Sequence, residues 1–333
     1  MSIDEAPLDP SPVDSLLLVG FGGPEGPDDV MPFLEIVARG RGVPRERLRE
    51  VSQHYLDVFG GVSPINAQCR ALRAALQEAI PELPVYWGNR NWHPFLGDTL
   101  RELASDGRLH ALAIVTSAFP SYSGCRQYRE DICAVLPPGM VVTKLRHYYC
   151  EEGFLEPMRR NVAAAGLPDA RLVFTAHSIP LVMAASAGPS GGAYVDALRI
   201  ASRRIAGDRQ WDLVFQSRSG PPQVPWLEPD VGDHLERLYA QGVREVVLVP
   251  VGFTSDHVEV VYDLDHQASH RVPGLEVRRA ATVGTDPLFV AMLRDLVLER
   301  VNASEELDDH GCPATHDRCP VGCCPPPVRP RPS

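Results

Sequence analysis

The sequence predicts an α/β protein made of two Rossmann-like halves that face each other, and three observations lead to that prediction. Short apolar runs of strand length alternate with helix-like stretches of roughly 10 to 15 residues, which is typical of βαβ units with right-handed crossovers. The series of elements runs twice, ending near Leu145 and beginning again near Arg171. The 333 residues, 44% hydrophobic and 23% charged, suit a folded protein of two domains.

The predicted strands are continuous apolar runs, which suit parallel strands buried on both faces of a sheet. The first is residues 16–21, LLLVGF, followed by the turn sequence GGPEGPDD. The other strands are predicted at residues 84–88, 111–117, 141–145, 171–176, 211–216 and 245–253. The helices are predicted at residues 30–38, 66–79, 94–104, 126–135, 157–164, 193–206, 231–240 and 287–301.

These elements divide the chain into five segments. Residues 1–14 are acidic and Pro-rich, and we expect a disordered lead there. Residues 15–150 form the first Rossmann-like domain and residues 151–285 the second. The helix within residues 286–301 is expected to return to the first domain, and residues 302–333 form a polar tail rich in Pro and Cys.

Composition excludes several classes of function. A net charge of −11 argues against nucleic acid as a partner, because phosphate binding needs a basic face. No apolar run approaches the ~18 residues of a membrane helix. The N-terminus lacks the cationic start and apolar core of a signal peptide, so we predict a cytoplasmic protein. Neither GxGxxG nor GxxxxGK[ST] follows the first strand, so nucleotide binding is unsupported.

The loops after the strands carry the residues suited to chemistry, since ligands of open α/β sheets bind beyond the carboxyl ends of the strands. His177 follows the strand at 171–176, although a lone histidine there often only caps a strand. After residue 253, TSDHVEVVYDLD would place Glu259 and Asp263 on one face of a helix at i and i+4. Two acids in line can pass protons, hold a cation or form a solvated face, and the residues alone leave these alternatives open.

Seven stretches, taken in chain order, carry a resemblance to a known family. They are LLLVGFGGPEGPDD, HYLDVFGGVSPIN, YWGNRNWHP, TSAFPSYS, FTAHSIP, FQSRSGPPQVPWLEPD and VPVGFTSDHVEVVYDLD. Together they resemble the ferrochelatase family over roughly residues 15–300, and AHSIP paired with SDHVEVVYDLD is highly specific. The resemblance implies the chelatase fold: two Rossmann-like domains, each with a parallel four-stranded sheet and flanking helices, and a porphyrin cleft between them.

The resemblance also implies roles for individual residues. His177 matches the metal-cleft histidine and Glu259 the cleft carboxylate, so they would handle the substrate Fe2+ and the porphyrin protons. Asp263 falls on the acidic path leading away from that carboxylate. Phe21 departs from the coproporphyrin-using Bacillus-type enzymes, which have a tyrosine there that can ligate the product iron. The implied porphyrin contacts are His54, Tyr55, Ser63 and Tyr128.

The tail resembles that of ferrochelatases with a 2Fe–2S cluster, which requires four cysteines. In the bacterial relatives one ligand comes from the body near the domain junction. Two adjacent tail cysteines point apart in an extended chain, so one of them is expected to ligate. The resemblance therefore leaves five candidates for four places, namely Cys150, Cys312, Cys319, Cys323 and Cys324.

Two rivals to the cluster stay open. Four thiolates also suit tetrahedral Zn(II), while tail disulfides are disfavoured in a reducing cytoplasm. We interpret Cys69, Cys125 and Cys133 as structural thiols, since small buried cysteines are common.

The leading functional hypothesis is a ferrochelatase that inserts Fe(II) into coproporphyrin III in heme b biosynthesis. Cluster-bearing actinobacterial enzymes, which the chain resembles most, are expected to use that porphyrin. The acidic Gly/Pro-rich loop after Phe21 also differs from the hydrophobic loop that membrane-associated relatives have at the cleft entrance. The alternatives are the same chemistry on protoporphyrin IX, a porphyrin or metal carrier without turnover, and a cobalt or nickel chelatase. A downstream heme-pathway enzyme is a possible partner.

Overall fold

The structure is a computed structural model that describes residues 12–40, 42–220, 223–302, 319–320 and 322–327. These residues form two separate parallel sheets of four strands each. Helices flank both sheets, and the predicted fold class is therefore confirmed.

The N-terminal sheet has β1 at its centre. Every side chain of β1 is buried, because helices cover both faces of a parallel sheet. The spatial order is β2-β1-β3-β4, and Gly20 of β1 pairs with Asn89 of β2 at the carboxyl ends. The strands are β1 (Ser15–Gly20), β2 (Val85–Asn89), β3 (His110–Val115) and β4 (Val141–Lys144).

The C-terminal sheet repeats this arrangement with the order β6-β5-β7-β8. Its strands are β5 (Arg171–His177), β6 (Trp211–Gln216), β7 (Glu245–Val249) and β8 (Glu276–Arg279). His177 pairs with Gln216, so the carboxyl ends of β5 and β6 lie side by side. The first residues after these strands consequently share one edge of the sheet.

The helices are numbered in chain order. Two stretches of π-helix, Tyr122–Arg126 and Val261–Gln267, continue directly into or from a helix. The α-helices are α1 (Val30–Val37), α2 (Arg45–Phe59), α3 (Ile65–Ala79), α4 (Leu96–Ser105), α5 (Gln127–Ala134), α6 (Glu152–Ala164), α7 (Leu181–Ala185), α8 (Ala193–Ala206), α9 (Val231–Ala240), α10 (Val258–Val260) and α11 (Pro287–Val301).

Three elements were missed by the sequence analysis, namely α2, α7 and β8, and one predicted strand is too long. The run at 245–253 is extended only to Val249, because Pro250 has no N–H to continue the ladder. β8 escaped prediction because it is four residues long and its sequence, EVRR, is mostly charged.

The predicted helix over residues 258–266 has a different geometry. It begins as the short helix α10 and widens at once into the π-helix Val261–Gln267. Such widenings are rare and often occur at functional sites. This one lies next to the carboxyl end of β7, in the loop that carries Glu259 and Asp263.

The last helix, α11, packs against α6 and α3. Its Phe289 is 1% exposed and lies edge-on to Tyr148, with 5.7 Å between ring centroids. The ring of Phe154, in α6, also packs against the Phe289 ring, with 6.4 Å between the two centroids. The predicted lead and tail fall mostly outside the described residues, and among the helices that are described none is long and apolar enough to cross a membrane.

We predict that Phe289→Ala destabilises the protein by about 3–5 kcal/mol, since it leaves a cavity where three aromatic rings meet. Urea unfolding followed by circular dichroism measures the shift in midpoint. Leu298→Ala is the matched control, because Leu298 lies on the same helix and is 42% exposed. Its change should stay within about 0.5 kcal/mol. Equal effects of the two substitutions would contradict the packing described for α11.

Candidate active site

His177 is the last residue of β5, one of the two central strands of the C-terminal sheet. The Tyr194 hydroxyl donates a hydrogen bond of 2.8 Å to the His177 carbonyl. The imidazole Nδ1 contacts the carbonyl oxygen of Ser178, an acceptor, so Nδ1 is the protonated nitrogen. Nε2 is thereby left facing the cleft, and a third of the side chain remains exposed.

Glu259 lies opposite, in α10. Its Oε1 is 3.5 Å from Nε2 of His177. Its backbone is fixed on both sides: the N–H donates to His257 Nδ1 at 3.2 Å, and the carbonyl accepts from Gln216 Nε2 at 2.8 Å. The carboxylate is 46% exposed. The pair is therefore held rigidly by backbone contacts while its functional atoms face open space.

Charge in the pair alters the pKa of the imidazole. Burial lowers the pKa of His177, but the nearby Glu259 carboxylate outweighs burial and raises it to about 9. The pKa of His257 is lowered instead. Burial is the largest cause, and the positive charge of His177 adds to it, so that together they outweigh the Glu259 carboxylate, which raises this pKa. At neutral pH the free site thus holds a cationic imidazole at His177, protonated on both ring nitrogens, and a neutral imidazole at His257.

Asp263 lies on the π-helix Val261–Gln267, four residues after Glu259. Burial raises the pKa of its carboxyl group to about 6, although the Ser217 hydroxyl donates to the carboxylate and opposes this rise. A group with a pKa near the operating pH can accept and release a proton with little free-energy change. The two acids therefore provide proton-accepting groups that lead away from His177.

The other wall of the site comes from α2. The His54 ring stacks on the Tyr262 ring, with 4.1 Å between centroids and 14° between planes. The pKa of Tyr55 is raised by burial and by the negative charges of Glu259 and Asp263, so its hydroxyl lies in the electrostatic field of both carboxylates. The helix of the N-terminal half thereby covers the acidic loop of the C-terminal half.

Two further contacts join the halves at this edge. The Gln68 side chain pairs with the backbone of Asp256, donating to its carbonyl at 2.6 Å and accepting from its N–H at 2.9 Å. The Thr254 hydroxyl donates to the Thr116 carbonyl at 3.2 Å. Thr116 directly follows β3, and Thr254 and Asp256 lie in the loop after β7, so the loops at the carboxyl ends of the two sheets meet at this edge.

The structure brings together His177, Glu259, Asp263 and Tyr55, with His54 at the rim. Ser63 is 4% exposed and packs under the loop after β1, where a Cβ added to Gly23 would meet its Oγ at 2.7 Å.

Tyr128 is set apart from this group. It is 5% exposed within the core of the N-terminal half, and the Arg90 guanidinium covers its ring at 4.4 Å. Phe21 is half-buried and lies edge-on to Phe33, with 6.3 Å between centroids, as part of a hydrophobic cluster under α1 and α2.

The cysteines fall into separate places. Cys125 packs with the tail cysteines Cys319, Cys323 and Cys324 in one buried cluster. Cys150 is 5% exposed and lies apart from that cluster, where its Sγ accepts from Arg204 Nη1 at 3.2 Å. The predicted ligand Cys312 lies outside the described residues. Across the described ranges, no three His, Cys, Asp or Glu side chains are arranged to bind a single metal ion.

Comparison with known proteins decides the family. A protein-family model described as ferrochelatase matches residues 13–301. The chain belongs to the ferrochelatase family. The proteins named coproporphyrin III ferrochelatase from Streptomyces coelicolor and Frankia alni are each 52% identical to it, over 96% and 95% of this chain and 95% and 87% of theirs. The resemblance predicted from the sequence is confirmed, and membership of this family makes the chain an enzyme.

Solved structures agree on the fold. The structure titled SirB from Bacillus subtilis with Fe3+ matches at a TM-score of 0.55 and 13% identity, covering 87% of this chain and 96% of that one. The sirohydrochlorin chelatase SirB from Bacillus subtilis subspecies spizizenii in complex with cobalt matches at 0.52 and 11%, with the same coverage. At such identities the likeness concerns the fold alone, and it is the chelatase fold that the sequence predicted.

Four residues that position the ferrochelatase-family site were not singled out from the sequence. Tyr194, Gln216 and Ser217 hold His177, Glu259 and Asp263 by the hydrogen bonds above, and Tyr262 stacks on His54. Gln216 and Ser217 had a detectable signal, because they end a predicted strand at the same edge as His177. Tyr194 had none, since its partner is a backbone carbonyl 17 residues away.

We predict that Glu259→Gln lowers the pKa of His177 well below 9, because burial remains while the opposing negative charge is gone. NMR titration of ring-labelled histidine measures it. The raised pKa also stabilises the fold: this contribution is complete below the ordinary value of 6.5 and is lost as pH rises through about 9. The stability difference between wild type and Glu259→Gln should therefore shrink above pH 9.

Glu236→Gln is the matched control, since Glu236 is a surface carboxylate paired with Arg271. It should leave the His177 titration in place. An unchanged His177 pKa in Glu259→Gln would show that the two side chains do not interact in solution.

Proposed function

We propose that the protein inserts Fe(II) into coproporphyrin III to give coproheme in heme b biosynthesis. The observation that carries the choice of porphyrin is the name shared by its actinobacterial relatives, coproporphyrin III ferrochelatase, at 46–52% identity. The observation that carries the chemistry is the His177–Glu259 pair at the carboxyl-end edge of the C-terminal sheet.

The reaction exchanges two pyrrole N–H protons for one metal dication. The site must therefore accept two protons and deliver Fe2+ to the four nitrogens. Nε2 of His177 becomes a suitable ligand for Fe(II) once its proton has left, because only the neutral ring has a lone pair to offer, and a carboxylate is a suitable general base. With Oε1 3.5 Å from Nε2, both groups address the same point in the cleft. Two protein ligands, rather than four, suit a metal ion that has to leave for the porphyrin.

The protons leave along the acidic side of the cleft. Glu259 and Asp263 follow each other on α10 and the π-helix, and the Asp263 pKa of about 6 lets it change protonation state near neutral pH. The Ser217 hydroxyl, which donates a hydrogen bond to the Asp263 carboxylate, adds one further group to this proposed proton path. The negative potential of the two acids also favours approach of a dication.

The macrocycle is proposed to lie against α2, in contact with His54, Tyr55 and Ser63. Propionate groups need cationic or polar partners at the rim. Arg47 lies two turns before His54 on α2, is 59% exposed, and its charge lowers the pKa of His54 after the larger effect of burial. A rim of this polarity suits the four propionates of coproporphyrin.

We predict that His177→Ala and Glu259→Gln each reduce metal insertion at least ~100-fold, the usual scale for general acid–base groups. Single-turnover assays with Fe(II) under anaerobic conditions measure the rate, and circular dichroism checks the fold. His270→Ala, on an exposed turn, is the control and should retain full activity. Turnover near wild type in either variant would remove that residue from the mechanism. Porphyrin binding without turnover in the wild type would favour the carrier alternative.

Substrate choice has its own test. The kcat/KM for coproporphyrin III should exceed that for protoporphyrin IX by at least tenfold. Coproporphyrin III has two propionates where protoporphyrin IX has vinyl groups, and vinyl groups gain binding free energy mainly from an apolar surface at the cleft entrance. Competition between the two porphyrins, with Fe(II), Co(II) and Zn(II) compared, gives the ratio. A preference for protoporphyrin would overturn the porphyrin assignment and leave metal insertion standing.

We further propose a resident 2Fe–2S cluster, cytoplasmic localisation and handover of product to a downstream heme-pathway enzyme. The cluster is supported by the donor set, since the described tail cysteines are buried thiols packed against one another. Cytoplasmic localisation is proposed from the sequence; among the described cysteines, Cys150 is disulfide-bonded, whereas the free thiols are Cys69, Cys125, Cys133, Cys319, Cys323 and Cys324.

A further inference from the structure

An arginine contacts both ends of the loop that carries the active-site acids. Arg279 is the last residue of β8, at the edge of the C-terminal sheet. Its Nε and Nη2 donate to the two carboxylate oxygens of Asp265, at 2.7 and 2.9 Å. Its Nη1 donates to Asp256 Oδ1 at 2.8 Å. We call residues 256–265, which lie between these two contacts, the acidic segment.

The four acids of the acidic segment have two kinds of surroundings. Asp256 and Asp265, at its ends, pair with the Arg279 guanidinium. Glu259 and Asp263, between them, belong to the active site described above. The outer acids thus share one cation, and the inner acids keep their negative charge for a proton or for an approaching dication.

Burial makes the Arg279 contact a specific one. The Arg279 side chain is 17% exposed, and the side chains of Asp256 and Asp265 are 31% and 34% exposed. Ion pairs between fully exposed side chains contribute little to stability, whereas a planar guanidinium that forms a fork on a half-buried carboxylate is held in one geometry. Arg279 therefore fixes the distance between two points that are nine residues apart in the chain.

The geometry of the acidic segment calls for such a restraint. The segment contains α10 and most of the π-helix Val261–Gln267, and π-helices are rare. Because the widened geometry is rare, contacts from outside the helix are expected to select it. Asp265 lies within the π-helix, so its contact with Arg279 joins the widened turn to β8. The Ser269 hydroxyl donates to the carbonyl of the same aspartate.

The other end of the acidic segment is held from the N-terminal half. Gln68 of α3 forms two hydrogen bonds with the Asp256 backbone, and the Asp256 carboxylate in turn contacts Arg279. A continuous line of contacts therefore runs from α3 through Asp256 and the guanidinium to the π-helix. The distance of 3.5 Å between Glu259 and His177 depends on where this line holds the two ends of the segment.

We propose that Arg279 is a positioning residue for metal insertion: by bridging Asp256 and Asp265, it fixes the acidic segment on which the carboxylate of the catalytic pair lies. The inference rests on the function proposed above. Arg279 acts through the two aspartates and touches neither porphyrin nor metal. A misplacement of about 1 Å in a catalytic group can cost about 100-fold in rate, so loss of the bridge is expected to slow the chemical step.

The test is Arg279→Lys in the full-length protein, because lysine keeps the positive charge but cannot form the fork on two carboxylates. Metal insertion is measured anaerobically with Fe(II) and coproporphyrin III. The substitution should lower kcat at least ~10-fold and change the porphyrin KM by less than ~3-fold, since the proposed porphyrin contacts lie on and near α2. Hydrogen exchange followed by mass spectrometry should show faster exchange in the acidic segment and wild-type exchange elsewhere.

Arg278→Lys is the matched control, because Arg278 precedes Arg279 in β8, is 48% exposed and pairs with Glu276. It should match wild type in kcat, KM and exchange. Asp265→Asn covers the case in which Arg279→Lys does not fold: it keeps the shape of the side chain, weakens the fork and should lower kcat in the same way. The double variant should be no slower than the slower single variant, since both changes break one contact.

The outcomes separate this inference from the proposed function. Wild-type kcat in Arg279→Lys overturns the inference and leaves metal insertion standing. Faster exchange throughout the chain, with a large rise in the porphyrin KM, also overturns it, because it shows a general loss of structure. Additive effects of the Arg279 and Asp265 substitutions on kcat would show that the arginine does not act through this aspartate. Absence of metal insertion by the wild-type protein overturns the proposed function and, with it, this inference.

Discussion

The contact between His177 and Glu259 is the constraint on which the rest of the cleft depends. A carboxylate 3.5 Å from a partly exposed imidazole holds a proton on the ring up to about pH 9. Neither group can move far, because Tyr194 and Gln216 hold their backbones rather than their functional atoms. The same arrangement that fixes the pair turns Nε2 and Oε1 towards the cleft, where an arriving cation would have to displace the imidazole proton.

The fold explains how residues 82 positions apart come to this contact. His177 ends β5 and Glu259 follows β7, and these strands are neighbours in one parallel sheet. Parallel strands bring all their carboxyl ends to one edge, so residues distant in sequence meet there without any special loop. The N-terminal half contributes α2, which brings Tyr55 towards the acids and places His54 on Tyr262.

Many of the helix and strand positions could be predicted from local sequence pattern. Helices 193–206 and 231–240 have the predicted bounds, because their apolar faces repeat at helical spacing and their ends carry Gly or Asp caps. Helix 287–301 also has the predicted bounds, since the Asp286 cap and Pro287 mark its first turn. α2 was missed although Leu48, Val51 and Tyr55 recur at helical spacing and Gly60 ends it in a left-handed conformation. The sequence of α2 is dominated by charged residues, and the helix buries only the side chains that face α1 and the cleft. The change from α to π geometry after Val260 has no marker in composition.

The buried group formed by Cys125, Cys319, Cys323 and Cys324 shows where local sequence pattern stops being informative. Cys125 and the tail are almost 200 residues apart, and no spacing rule connects a single cysteine in a helix to three in a tail. What distinguishes Cys125 from Cys69, another buried thiol, is the set of neighbours that tertiary packing supplies. Cys69 lies beside Trp87 and burial raises its pKa to about 12, so it stays a protonated core side chain. Cys125 has Lys144 and the tail thiols as neighbours.

The active site and the buried cysteines have opposite electrostatic surroundings. The edge of the C-terminal sheet gathers Glu259 and Asp263 beside His177, so the local potential there is negative and favours the approach of a cation. The buried cysteines Cys125 and Cys324 instead lie near the positive charges of Lys144 and Arg129, and these charges favour the ionised thiols. Both cations are themselves buried, and the Lys144 ammonium donates a hydrogen bond of 2.7 Å to the Leu145 carbonyl, so the positive charge is fixed within the core by the backbone around it.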